Sequence, residues 1–151
     1  MRAHSSLGRW RRRAAALSAK LASRLAGQFA PSTTTYFTRA GGAYAGANHQ
    51  MVRSADHGLT WEAVGPSFPD GYYQVIGDGN VLYAQESNTG ANSVGPQPYI
   101  TSPETDGKTW SPYQGGAQTF ADGPYSMRFD PIRRVLYSSN WRTGVWALKV
   151  L

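Results

Sequence analysis

Six aromatic side chains, Tyr72, Tyr73, Tyr99, Tyr113, Tyr125 and Trp141, fall in or beside stretches rich in turn residues. Flat aromatic faces at strand ends stack on sugar rings or peptides, and amides beside them fix orientation. The run "ESNTGANSVGPQP", residues 86–98, supplies such amides in Asn88, Asn92 and Gln97 and is the longest irregular stretch of the body. Arg128 alternates with Met127 and Phe129, so a strand there points it away from both. Its fork would suit a planar anion. The ligand candidates are therefore Arg128, Trp141, Tyr72, Tyr99 and Asn88. The competing reading makes half of the aromatics core. His49 and His57 lie in loops without a third ligand, and the chain has no cysteine, so neither metal nor cofactor is expected.

These side chains need a scaffold, and composition says which kind. Of 151 residues 17 are glycine and 14 are Tyr or Trp, while only 16% are charged, a balance that favours strands and tight turns over helices. The net charge of +6 is unevenly placed. Residues 1–30 carry seven basic side chains and no acid, whereas residues 31–151 carry eight basic and nine acidic ones. The body lacks the basic surface that nucleic acid requires, so no nucleic-acid partner is expected. Within residues 1–30, Trp10, Ala14, Leu17, Leu21 and Leu25 recur at helical spacing among arginines, the pattern of a basic amphipathic leader. A disordered leader and a degenerate targeting signal both fit, and the second implies a secreted or periplasmic protein. No run approaches the ~18 apolar residues of a membrane-spanning helix.

Internal repetition organises residues 31–151. Tyr44, Tyr83 and Tyr137 each sit in a strand-like run after a turn signal: Gly41-Gly42, Gly77-Asp78-Gly79-Asn80 and Asp130-Pro131. Apolar-alternating runs precede each ("TTTYFT", "YYQVIG", "YSMRF") and follow each ("QMVRS", "QPYITS", "GVWALKV"). The first two units then close with "TWEAVG" and "TWSPYQG", and Trp61 and Trp110 stand 49 residues apart. Four short strands per unit, at about residues 33–66 and 71–115, with a three-stranded third unit at 124–151, predict an all-β, partial β-propeller.

The turn "SADHGLTW", residues 54–61, explains itself as a folding device. Asp56 can accept from backbone N–H groups inside the turn, with Ser54 doing so more weakly. Gly58 supplies a positive φ, Thr60 restarts the strand, and Trp61 buries its ring beside the reversal. The pattern S-x-D-x-G-x-T-W resembles the Asp box, or BNR repeat, of sialidase-like propellers at all five defined positions. "TDGKTW", residues 105–110, keeps Gly107, Thr109 and Trp110, while Thr105 and Pro103 occupy the aspartate and serine positions. Asp106, displaced by one residue, is the expected stand-in.

That resemblance implies the fold but not a function. It implies three arginines clamping a carboxylate, a tyrosine–glutamate nucleophile pair and an aspartate acid/base, drawn from a whole ring of blades. The body has Arg39, Arg53, Arg128, Arg133, Arg134 and Arg142, without the expected arginine motif in a first blade. The expectation is a scaffold, or a carbohydrate- or protein-binding module, without a complete catalytic site. The alternative is the C-terminal part of a glycoside hydrolase of exo-sialidase or xyloglucanase type. If the chain is complete, three units per chain make six in a closed homodimer; the opposing reading is a fragment of a longer propeller.

Overall fold

The computed structural model describes residues 35–39, 41–47, 49–68, 70–87, 97–114, 119–120, 123–140 and 144–150. The leader at 1–30, and the binding candidates Asn88 and Trp141, lie outside them. Every regular element among the described residues is a β-strand. A first sheet is an antiparallel meander of β1 (Tyr36–Phe37), β2 (Ala43–Gly46), β3 (Met51–Ser54) and β4 (Glu62–Val64). A second repeats it with β5 (Val75–Gly77) and β6 (Val81–Ala84). After β7 (Gln97–Pro98), the second sheet resumes with β8 (Ile100–Pro103) and β9 (Ser111–Pro112). Beyond β10 (Thr119–Phe120), a third sheet holds β11 (Pro124–Asp130), β12 (Val135–Asn140) and β13 (Gly144–Lys149).

The sheets follow the repeat read from the tyrosines, with one departure. "QPYITS" does not form a single strand. It breaks at Tyr99, and β7 leaves the second sheet to pair with β10. Pro98 removes one ladder donor at the break, which suits a switch of partner.

Strand alternation sends side chains to opposite faces, and both faces of the middle sheet are covered. Val75, Leu82 and Ala84 meet Tyr44, Met51 and Val64 of the first sheet. Ile76 and Tyr83, from the opposite face, meet Met127, Leu136 and Leu148 of the third. The chain therefore stacks sheet on sheet in sequence order. A third cluster, Ala45, Ala47 and Val52 with Trp61 against it, lies on the far face of the first sheet. This double coverage explains why β2 is buried throughout although its residues alternate in direction.

One device opens each unit. The turn between its first two strands is held by a side-chain oxygen at the end of the first. Thr38 Oγ1 accepts from Gly42 N (2.9 Å), Asp78 Oδ1 from Asn80 and Val81 N (2.9 and 2.8 Å), and Asp130 Oδ1 from Ile132 and Arg133 N (2.9 and 3.1 Å). Burial opposes ionisation of Asp78, yet the two amides and Arg134, 2.9 Å away in the third unit, outweigh it and hold its carboxyl below the usual range. Arg134 also covers the Phe129 ring at 5.8 Å. A turn residue thus doubles as a link between sheets.

Candidate functional site

The two tryptophan turns share one hydrogen-bond plan. In the first, Asp56 Oδ1 accepts from Leu59 N (3.0 Å) and Thr60 N (2.8 Å), and Oδ2 accepts from the Thr60 hydroxyl (2.6 Å). Ser54 Oγ donates to Asp56 (2.9 Å) and accepts from Gly58 N (2.8 Å), where φ is +84°. In the second, Asp106 Oδ2 accepts from Thr109 N (2.7 Å), and Gly107, at φ +63°, donates to the Pro103 carbonyl (2.9 Å). That carbonyl does the work of the Ser54 hydroxyl. A proline at the serine position is therefore tolerated, and Asp106 serves from one residue later. Trp110 is partly buried and donates Nε1–H to Gly107 O (3.2 Å), while Trp61 covers the alanine cluster of the first sheet.

Bonds from the Thr60 hydroxyl and amide, outweighing partial desolvation and aided by Ser54 and Leu59, hold the Asp56 carboxyl down at about 2. The sign follows: a depressed carboxyl contributes stability that is complete above its unfolded value near 3.8 and is lost as pH falls through about 2. A carbon-detected titration of Asp56 is expected to give a midpoint near 2 that climbs toward the ordinary value in Thr60→Ala. An ordinary midpoint in the parent chain would rule out the turn as drawn.

Among the described arginines, Arg53 and Arg134 serve the stack. Arg53 Nε donates to Tyr44 Oη (3.1 Å) and its Nη1 meets Glu62 (2.7 Å). Arg133 pairs with Asp130 in its own turn (3.0 Å) and is largely exposed. Glu104 links two sheets. It accepts from Tyr36 Oη (2.6 Å) and Gly79 N (2.9 Å), tying the first sheet to the second. Arg128 is exposed on β11, donating to Met127 O (2.8 Å).

Two expected binding aromatics are core. Tyr99 is buried, and its hydroxyl donates to Ser138 Oγ (2.7 Å), which donates to Asn140 Oδ1 (2.6 Å). Tyr72 is buried between the first two sheets, its ring edge-on to Phe68. Neither offers a ring face to a ligand. The local pattern could not show this, because a tyrosine at a strand end reads alike whether or not another sheet covers it.

What gathers instead is a rim where the ends of all three units are laced together. Tyr72 N donates to Ala47 O (3.1 Å), Ser87 N to Gly71 O (2.9 Å) and Gly123 N to Ser87 O (2.8 Å). The lacing is close: a Cβ on Gly46 would overlap the Tyr72 carbonyl, and one on Gly123 would overlap that of Glu86. Gln74 Oε1 accepts from Met127 N within the same region. Glu86 is buried here, only 2% exposed, with no hydrogen-bond partner for its carboxyl among the described residues. Burial, then the nearby Asp70, push its carboxyl up. Burial and the charge of Glu86 together push the Tyr72 phenol up, and its hydroxyl likewise finds no partner among the described residues. Next in sequence to Tyr72, Tyr73 meets Tyr125 with ring centroids 5.0 Å apart and planes tilted by 39°, and Tyr125 is half-exposed.

The exposed part of Tyr125 can take an apolar ring face, and Glu86 lies buried in the same rim. Glu86 was not singled out in the sequence; its signal is an acid two residues past the end of the apolar run "VLYA" in a body with few acids. Among the described residues no three His, Asp or Glu side chains group as a metal site, and no helix is long and apolar enough to cross a membrane. No protein-family model matches the chain, and no curated protein matches it either.

Proposed function

We propose that the chain is part of a sialidase-like Asp-box β-propeller, acting as an exported carbohydrate- or protein-binding scaffold without a complete catalytic site of its own. The observation that carries the binding role is the Tyr73–Tyr125 pair, half-open on the rim where three sheet ends meet. Rigid aromatics at such a junction offer contact area at low entropic cost. The propeller reading draws support from two aspartate turns at the same place in successive four-stranded sheets. Ring-to-ligand saturation transfer with sialyllactose and with a xyloglucan oligosaccharide tests the binding role. Transfer from Tyr73 and Tyr125 that disappears in Tyr125→Ala is expected for one of the two sugars. Absence of transfer from either would remove carbohydrate as the ligand.

Glu86 favours a second reading, the C-terminal part of a glycoside hydrolase, because a carboxyl buried on the rim without a partner among the described residues is suited to hold a proton as a general acid. Turnover of fluorogenic sialosides or β-glucosides, lost in Glu86→Gln and in Arg128→Ala, would replace the scaffold reading with that one.

A further inference from the structure

We propose that Glu86 is a proton-operated latch on the rim. Protonated, it lets the ends of the second and third units close on one another. Ionised, it draws residues 86 and 87 out to water and releases the Tyr73–Tyr125 pair. The latch deepens the binding reading above and rests on it only for what that pair binds. Glu86 is 2% exposed, the next residue Ser87 is fully buried, and neither carboxyl oxygen of Glu86 has a hydrogen-bond partner among the described residues. The backbone beside the acid is fixed at three points. Ser87 N donates to Gly71 O (2.9 Å), Ser87 Oγ to Asp70 O (2.5 Å), and Ser87 O accepts from Gly123 N (2.8 Å). The third unit meets this residue through backbone: a Cβ on Gly123 would overlap the Glu86 carbonyl and press on that of Ser87.

Among the described residues the titratable groups that act on Glu86 are Asp70 and Tyr72, both from the stretch that enters the second unit, and no Arg or Lys faces it. A carboxylate buried without a donor, near a second acid, is costly, and water is its nearest relief. Reaching water moves residues 86 and 87, which breaks the Ser87–Gly123 bond that joins the second unit to the third. Tyr125 lies two residues beyond Gly123 and meets Tyr73 of the second unit, so the aromatic pair spans the joint that this bond closes. Deeper in the same joint, Ile76 and Tyr83 pack on Met127, Leu136 and Leu148, which makes the opening local. The closed state holds the proton more tightly than the open one. Closure is therefore complete below the ordinary value near 4.5 and gives way as pH rises toward the closed-state midpoint.

Amide hydrogen exchange on the full chain, read beside a carbon-detected titration of Glu86, tests the latch without a ligand, so its outcome is separate from whether the pair binds sugar. The Glu86 midpoint is expected above the ordinary carboxyl range. Protection of the Ser87 and Gly123 amides, corrected for intrinsic exchange, is expected to fall about tenfold per pH unit from near 4.5 up to that midpoint and then level off. The amides of β6 are expected to keep theirs, while Overhauser contacts between the Tyr73 and Tyr125 rings weaken over the same range. In Glu86→Gln the rim amides and the ring contacts are expected to hold at every pH. An ordinary Glu86 midpoint, or rim protection that does not follow it, would overturn the latch on the parent chain alone. So would a loss of protection that persists in Glu86→Gln, because another group would then be responsible. Rim amides that open while the two rings stay in contact would overturn the release of the pair.

Discussion

Gly107→Ala is expected to destabilise the fold by about 3 kcal/mol or more, the largest effect of any single methyl group added to the aspartate turns. Two costs combine. The backbone at φ +63° is left-handed, which an L side chain adopts at a cost of about 1–2 kcal/mol. The new methyl would also occupy the space of the Tyr44 hydroxyl and ring edge, an overpacking worth about 1–3 kcal/mol. Only the second cost depends on Tyr44. In Tyr44→Leu the obstruction is gone, so Gly107→Ala is expected to cost markedly less in that background. Urea titration of the four proteins in the cycle measures this. Strictly additive losses would show that the two sheets do not meet through this tyrosine.

The second large effect concerns Glu86. Its carboxyl is buried without a partner among the described residues and titrates above the usual range, because burial and Asp70 disfavour the charge. A raised carboxyl binds its proton more tightly in the folded state than in the unfolded one. Stability is then greatest below the unfolded value near 4.5 and falls as pH rises toward the folded value. Glu86→Gln carries no proton to lose. Its thermal stability is expected to exceed the parent's at pH 7 by about 1–3 kcal/mol, the cost of leaving a buried polar group unsatisfied, and to match it near pH 4. Parallel pH profiles for the two proteins would mean that Glu86 is either solvated or paired. The same variant reports on catalysis. A stabilising substitution that abolished glycoside turnover would mark Glu86 as a group held in strain for function.

Much of the architecture was legible because it is written in local chemistry. Gly41-Gly42, Asp78-Gly79 and Asp130-Pro131 mark reversals, through glycines that reach positive φ freely, aspartates that cap the turn and a proline that fixes φ, and strands follow each of them. Asp106 could be read as the stand-in because Gly107, Thr109 and Trp110 fix its register. The pairing of β7 with β10 was not legible, because two-residue strands carry no periodicity. Nor was the burial of Tyr72 and Tyr99, since which sheet covers a strand is decided by the stack and not by the strand. Glu86 escaped for a related reason. An acid at the start of a polar loop looks solvated until the carbonyls of Gly71 and Ser87 are seen to lace the rim around it.

The stacking of the first unit on the second through Tyr44, set in the glycine notch at Gly107, is the claim on which the rest depends. Its most direct test is a nuclear Overhauser measurement between the Tyr44 ring and the Gly107 Hα protons. The expected result is a strong cross-peak to one Hα, with that proton displaced from its usual shift by the ring current. A Gly107 with ordinary Hα shifts and no contact to Tyr44, in a chain that still melts cooperatively, would contradict it. The first two sheets would then fold without stacking on one another, and the rim that joins their ends would not exist as described.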